Sequence, residues 1–181
     1  PEPNQPALLI GGGVGIPPML YLASALQGRP ATAFCGAVTR DLLPLTITAD
    51  QESPIADFAR YGVRSVITTD DGSLGYKGYV TDALVRYLDA VSPQSSSLRP
   101  ALYTCGPELM MKRVADIARK YKLDCQIAVE RAMACGMGTC QSCCIRVKKP
   151  DPAQPPLAGS DWCYRLACTD GPIFRADDLL W

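Results

Sequence analysis

From Ala7 onward the chain repeats one pattern: a short apolar run, a turn, then a longer stretch with apolar residues at helical spacing. "PALLIGGGVGIPPMLYLASALQG" predicts a strand over Ala7–Ile10, a Gly-rich turn and a helix. Pro17 and Pro18 suit that helix's first turn, and Gly28 suits its C-terminal cap. "ATAFCGAV" (Ala31–Val38) predicts a second strand, with a helix around Pro54–Tyr61 after it. "GVRSVITTDDGS" then predicts a third strand running into an acidic, glycine-containing loop. "YVTDALVRYLDAV" places Val80, Leu84, Val85 and Leu88 on one helical face, with Thr81 or Asp82 near its start. After the linker-like "PQSSSLRP" come a fourth strand ("ALYTCG"), a helix opened by Pro107 ("PELMMKRVADIARKYK") and a fifth strand, Cys125–Glu130. Strands alternating with helices predict an α/β fold: a five-stranded parallel sheet flanked by helices.

The pattern stops at Glu130. The remaining residues hold six of the nine cysteines, two short strand candidates ("CCIRVKK" and "YRLAC") and the Pro-rich loop "KKPDPAQPPLAGS". No helical periodicity appears there. Two units are expected: residues 1–130, the sheet domain, and residues 131–181, a small module of short β-strands and loops.

Composition narrows the chemistry. Lys+Arg and Asp+Glu both number 18, so no net charge draws the chain to nucleic acid or an anionic membrane, and neither is expected as a partner. Residues 3–28 are uncharged, yet Gly11-Gly12-Gly13 and Pro17-Pro18 interrupt them and no basic flank precedes them. They read as buried strand, loop and helix, not as a signal peptide or membrane span, and a cytoplasmic location is expected. Histidine is absent, which removes Ser-His and Cys-His nucleophile pairs and every metal site that needs imidazole. Thiolates, carboxylates, backbone and bound cofactors are what remain.

"ACGMGTCQSCC" packs four cysteines between Ala134 and Cys144. Cys135, Cys140 and Cys143 are spaced C-x4-C-x2-C, and Cys163 or Cys168 offers a later thiol. That is the plant-type 2Fe–2S spacing. Gly136 and Gly138 let the backbone wrap close to inorganic sulfide and aim N–H groups at it. A disulfide framework fits poorly with an odd cysteine count, and zinc would more naturally pair two C-x2-C motifs. Cys168 is the preferred fourth ligand because "TDGPIF" after it supplies a Gly-Pro turn, whereas Cys163 sits at a strand start beside Trp162. Cys144 would point away from Cys143 on an extended chain and reads as a packing residue. Cys35, Cys105 and Cys125 fall in strands of the larger unit, where a free cysteine is usually a small apolar side chain.

"GGGVGIPP", between a strand and a helix, can cradle a phosphate, since glycine admits close approach and a helix start favours anions. Gly11, Gly12, Gly13, Val14 and Gly15 form this turn, without the G-x-G-x-x-G spacing, so a ligand-free tight turn is the competing reading. Cys105-Gly106-Pro107 and Asp70-Asp71-Gly72-Ser73 end strands at the same carboxyl edge, where open α/β sheets bind ligands. Asp70, Asp71 and Ser73 suit ribose hydroxyls, and two carboxylates would repel a 2′-phosphate, favouring NAD over NADP. A solvated turn is the plainer account of the acidic loop.

In this order, "GGGVGIPPMLYLA", "TTDDGSLGYKGYVTDAL" with "YTCGPELMMK", and "ERAMACGMGTCQSC…CTDGPIF" resemble the ferredoxin–NADP reductase superfamily. Within it they are similar to the electron-transfer subunits of class 1B dihydroorotate dehydrogenase. The resemblance implies a 2Fe–2S cluster on Cys135, Cys140, Cys143 and Cys168. It places NAD at Gly11–Gly15 and a nicotinamide–flavin contact at Cys105, Gly106 and Pro107, with Glu130 near the flavin. It further implies a partner subunit that oxidises dihydroorotate on FMN in pyrimidine biosynthesis, within a heterotetramer. FAD would be held largely by an N-terminal β-barrel bearing R-x-Y-[ST], and nothing like that motif precedes Pro1, so the barrel is expected to lie outside this chain. The related reductase subunits of sulfide dehydrogenase and of NADH-dependent ferredoxin:NADP oxidoreductase share "TDDGS" but tend to carry Asp where Cys135 stands. Service to those complexes or to a hydrogenase is the alternative, and a non-catalytic metal-binding module is a second. The stretch between Cys143 and Cys168 is longer than the family leads one to expect.

Overall fold

The computed structural model describes residues 4–181 except 27, 44, 51, 92–98 and 149–160, so most of the expected linker and of the Pro-rich loop lie outside the described residues. Strands β1 (Ala7–Gly12), β2 (Ala31–Ala37), β3 (Arg64–Thr69), β5 (Ala101–Cys105) and β6 (Cys125–Ala128) pair in parallel, β3-β2-β1-β5-β6. These are the five strands that the apolar runs predict. Every residue of β1 and β5 is buried, as befits strands covered on both faces.

Alternation divides the core. Leu8 and Ile10 face one side with Phe34, Leu102 and Ile127, beneath α3 (Val80–Ala90) and α4 (Glu108–Tyr121). Leu9, Ala33, Ile67 and Tyr103 face the other with Ile16, Met19 and Phe58 from α1 (Ile16–Ala25) and the short α2 (Ala56–Ala59). Such period-two sorting fixes the register, because a slip of one residue would exchange the two layers. Helix α4 carries Glu108 in its first turn, Arg119 and Lys120 in its last, and left-handed Lys122 as its cap. Both charge placements complement the helix dipole.

The sheet is wider than predicted. At one edge β4 (Tyr76–Lys77) adds two parallel residues to β3. At the other, β9 (Ile173–Arg175) runs antiparallel to β6, making seven strands. Neither is long enough for alternation to show. β9 comes from beyond Glu130, so the last fifty residues lend a strand to the sheet rather than standing wholly apart. The rest of that segment forms a three-stranded antiparallel sheet, β10-β7-β8, from β7 (Cys144–Val147), β8 (Cys163–Leu166) and β10 (Leu179–Leu180). Its inner residues Ile145, Val147, Cys163 and Leu179 join the apolar cluster that lies under α3 and α4.

The chain runs outward from β1 through β2 and β3, then returns to place β5 on the other side of β1. The carboxyl ends of β1 and β5 therefore flank the switch point at which open α/β sheets form their ligand crevice.

Candidate metal centre and nucleotide cavity

At that switch point two glycine turns touch backbone to backbone. A Cβ on Gly15 would lie 2.0 Å from the Cys105 carbonyl oxygen, and one on Gly106 would lie 2.7 Å from the Gly12 carbonyl oxygen. Gly106 also has φ 145°, which side-chain-bearing residues rarely adopt. Gly11 is similarly tight against Ile16 Cα at 3.0 Å. Gly15 and Gly106 let the turns after β1 and β5 meet, while Gly11 lets the turn after β1 fold back tightly on the start of α1. Gly13 differs: its φ is 52° and nothing lies within 4 Å of the missing Cβ, so its turn opens outward.

Beside it lies a cavity of about 510 Å³ walled by Gly12, Gly13, Gly36, Val38, Asp70 and Pro107 among others. Leu42, Tyr79 and Leu109 add apolar surface, while Arg113, 3.4 Å from Asp82, stands at its edge. The dinucleotide residues expected from the sequence thus separate. Gly12, Gly13, Asp70 and Pro107 reach the cavity wall. Asp71 and Ser73 are engaged with each other: Asp71 Oδ1 accepts from Ser73 N at 2.9 Å and from Ser73 Oγ at 2.7 Å. Ser73 Oγ in turn accepts from Arg40 N at 2.8 Å, tying this loop to the turn after β2. The Ser73 hydroxyl and N–H hold the Asp71 carboxyl below its ordinary range. Gly72 has φ 80° and turns the loop, and Val14 is exposed. Glu130 lines a separate recess with Gly106, Glu108, Met111, Arg131 and Ala132, next to the Cys105–Pro107 turn. Burial, with the Glu130 carboxylate adding to it, raises the Cys105 thiol. Another cavity of about 450 Å³ lies at the opposite ends of the strands, around Ala7, Ala31 and Arg64, and contains none of these residues.

The cysteine loop is built from conformations glycine makes easy. Gly136 and Gly138 have φ of 69° and 85°, and Gln141 has 57°. Within it the four expected ligands fall in two pairs. Cys140 N donates to Cys135 Sγ at 3.4 Å. Cys143 is hydrogen-bonded by the backbone and thiol of Cys168, which lowers Cys143 and raises Cys168. The Ser142 hydroxyl, its backbone and Cys135 lower the Cys140 thiol to about 6. Among the described residues no three His, Cys, Asp or Glu side chains are gathered for a single metal ion. Thiols and backbone N–H groups brought together in one loop are the donors that iron–sulfur clusters use.

The segment carrying Cys168 is fixed from both sides. Ala167 N donates to Cys143 O at 3.1 Å, and Asp170 Oδ2 accepts from Leu166 N at 2.7 Å. Beyond it the cis Gly171–Pro172 turn docks on the large sheet, with Pro172 O accepting from Val129 N at 3.0 Å. Cys163 is buried in β8, inside the apolar layer. Cys144 corrects the expectation of a packing role: it does point away from the buried Cys143 side, but into solvent. Sequence reading missed Ser142, whose hydroxyl touches Cys140, and Arg131, which pairs with Glu108 at 2.7 Å. The place of Ser142 between two candidate ligands, Cys140 and Cys143, was the available signal for the first; none existed for the second.

The fold is that of a ferredoxin reductase-like α/β sheet followed by a small C-terminal β region that carries cysteines. Residues 130–180 match the model of the family described as the iron–sulfur cluster binding domain of dihydroorotate dehydrogenase B. The chain as a whole is a relative of the electron transfer subunits of dihydroorotate dehydrogenase B (NAD(+)). It is 35% identical to that of Streptococcus mutans over 99% of its length and 32% identical to that of Caldanaerobacter subterraneus over 96%. It spans 59% of the length of each. Among solved structures it superposes with a TM-score of 0.72 and 29% identity on a chain of the NADH-dependent reduced ferredoxin-NADP oxidoreductase, covering 99% of this chain and 55% of that one. Among the described residues no helix is long and apolar enough to cross a membrane.

Proposed function

We propose that this chain is the nucleotide- and cluster-binding part of an NAD-linked electron-transfer subunit serving dihydroorotate oxidation in pyrimidine biosynthesis. The observation that carries this is the pairing of Cys135 with Cys140 and Cys143 with Cys168, in a segment whose start at Glu130 and Arg131 borders the Cys105–Pro107 turn. Those four cysteines would hold a 2Fe–2S cluster. When bound, the cluster supplies one-electron transfer and FAD the exchange between single electrons and hydride that NAD requires.

The chain's own residues divide the remaining work. Gly11–Gly15 bring backbone N–H groups of the α1 start against a pyrophosphate. Asp70 accepts from ribose hydroxyls and repels a 2′-phosphate, while Asp71 and Ser73 set the loop that aims it. Val38, Leu42 and Tyr79 cover an adenine ring. Cys105, Gly106 and Pro107 bound the nicotinamide side, and Glu130 faces the flavin, whose remaining contacts come from outside this chain. The FMN-bearing subunit that oxidises dihydroorotate is the expected partner, in a heterotetramer in the cytoplasm. Residues 1–130 and 131–181 act as two functional units despite the strand they share.

A second reading, a reductase subunit of a ferredoxin or sulfide complex, draws on the likeness to the ferredoxin-NADP oxidoreductase chain. One experiment separates the readings. The full-length chain is purified anaerobically with its genomic neighbours, iron and acid-labile sulfide are counted, and dihydroorotate-dependent NAD reduction is followed. Two irons, two sulfides and dihydroorotate-dependent NADH formation support the first reading. Two irons without that activity, but with ferredoxin-dependent reduction, select the second. Colourless protein carrying stoichiometric zinc would sink both in favour of a non-catalytic module.

A further inference from the structure

Ser142 lies between Cys140 and Cys143, and its hydroxyl oxygen reaches three groups. Ala134 N donates to it at 3.4 Å, Ala132 O accepts from it at 3.1 Å, and Cys140 Sγ stands 3.2 Å away. A serine hydroxyl has one proton to give. A thiol at Cys140 can donate its own S–H to the serine oxygen, which leaves the serine proton for Ala132. A metal-bound Cys140 has no proton left, so sulfur and carbonyl compete for the single O–H. The sulfur then carries negative charge, and hydrogen bonds to charged acceptors are roughly twice as strong as neutral ones. Ala132 is exposed, so its carbonyl can take water in exchange. Ala134 N–H meanwhile keeps the oxygen in place, one residue before Cys135.

We propose that Ser142 is a positioning residue of the cysteine centre: with metal bound, its hydroxyl turns from Ala132 O to donate to the Cys140 sulfur. This rests on the reading that Cys140 is a ligand of an iron–sulfur cluster. Reduction adds an electron to the centre, and a donor aimed at a ligand sulfur stabilises the more negative form more. Ser142 therefore raises the reduction potential of the centre.

The test uses the full-length holoprotein and its Ser142→Ala and Ser142→Thr variants, compared by EPR-monitored redox titration. The Ala variant is expected to titrate at a more negative potential, and the Thr variant, which keeps the hydroxyl, at the wild-type value. Pulsed EPR of the reduced centre in D2O is expected to show one fewer strongly coupled exchangeable deuteron in the Ala variant. An Ala variant with wild-type potential and coupling overturns the proposal, and so does a Thr variant that titrates like Ala. If Ser142→Ala takes up no cluster, a Thr variant that loads and titrates as wild type supports the hydroxyl's role, while a Thr variant equally empty overturns it. Wild-type protein lacking an iron–sulfur spectrum would instead remove the underlying reading before any variant is compared.

Discussion

Arg131 Nη1 lies 2.7 Å from Glu108 Oε2, joining the residue that opens the cysteine segment to the residue that opens α4. The same nitrogen donates to the Glu130 carbonyl at 3.1 Å. This bond fastens the start of the cysteine segment one residue beyond the Cys105–Pro107 turn. Its energy is small, because the Arg131 and Glu108 side chains are 30% and 50% exposed. Exposed pairs contribute about 0.2–1 kcal/mol and weaken with salt. A double-mutant cycle on Arg131→Ala and Glu108→Ala, read by urea denaturation, should give a coupling under about 1 kcal/mol that shrinks in molar salt. A coupling that stays large in salt would mean the pair is more shielded than its exposure indicates.

The glycines of the switch point should not be equivalent. Gly15→Ala places a methyl group 2.0 Å from a backbone carbonyl that cannot step aside without moving β5. Overpacking of this kind costs about 1–3 kcal/mol and sometimes more. Gly13→Ala meets open space and has only its left-handed φ of 52° to accommodate, at about 1–2 kcal/mol. Chemical denaturation should rank Gly15→Ala as the more damaging to stability, whereas Gly13→Ala, which adds a methyl group on the cavity wall, should weaken nucleotide binding out of proportion to its smaller loss of stability. Equal losses would contradict the backbone contact.

The five parallel strands were legible because β1, β2, β3, β5 and β6 are apolar runs framed by turns, and burial on both faces leaves such runs little ambiguity. C-x4-C-x2-C singled out Cys135, Cys140 and Cys143 as candidate ligands, while the choice of Cys168 over Cys163 needed the Gly-Pro turn that follows it. What stayed hidden depends on distant partners. Tyr76–Lys77 and Ile173–Arg175 become strands only because β3 and β6 offer edges to pair with. Asp70, Asp71 and Ser73 looked alike in sequence, yet the short reach from Asp71 to Ser73 removes both from the cavity. Cys144 looked apolar by residue type, whereas its place on the outer face of β7 exposes it.

Thiol labelling should sort the nine cysteines by environment. Burial pushes Cys35 up to about 12, and burial followed by the Asp177 carboxylate does the same to Cys125. Both stay protonated through neutral and mildly alkaline pH, so neither should react with iodoacetamide in native protein at pH 8. Because the folded values lie above the unfolded thiol value of 9.0, unfolding releases these protons more readily. The stability they contribute is complete below pH 9 and is lost as pH rises from about 9 towards about 12. Exposed Cys144 should label whether or not metal is present, while Cys135, Cys140, Cys143 and Cys168 should label only after the metal is removed. Mass spectrometry of the peptides gives the pattern. Protection of Cys163 by metal, with Cys168 left reactive, would move the fourth ligand.

Asp70 and Asp71 should respond differently to loss of charge. Asp70 is on the cavity wall, so Asp70→Asn removes the carboxylate that would face a 2′-phosphate while keeping an acceptor for a ribose hydroxyl. NADP(H) should gain on NAD(H) by roughly tenfold, which corresponds to about 1.4 kcal/mol. Asp71→Asn instead weakens an acceptor held by the Ser73 N–H and hydroxyl, loosening the loop that the Arg40 N–H also grips through Ser73. Its effect should fall on both nucleotides alike, as a uniform loss of affinity with the preference unchanged. Titration calorimetry with each nucleotide measures the two ratios. A changed preference in the Asp71 variant, with none in the Asp70 variant, would exchange the roles and place the ribose on the other side of the loop.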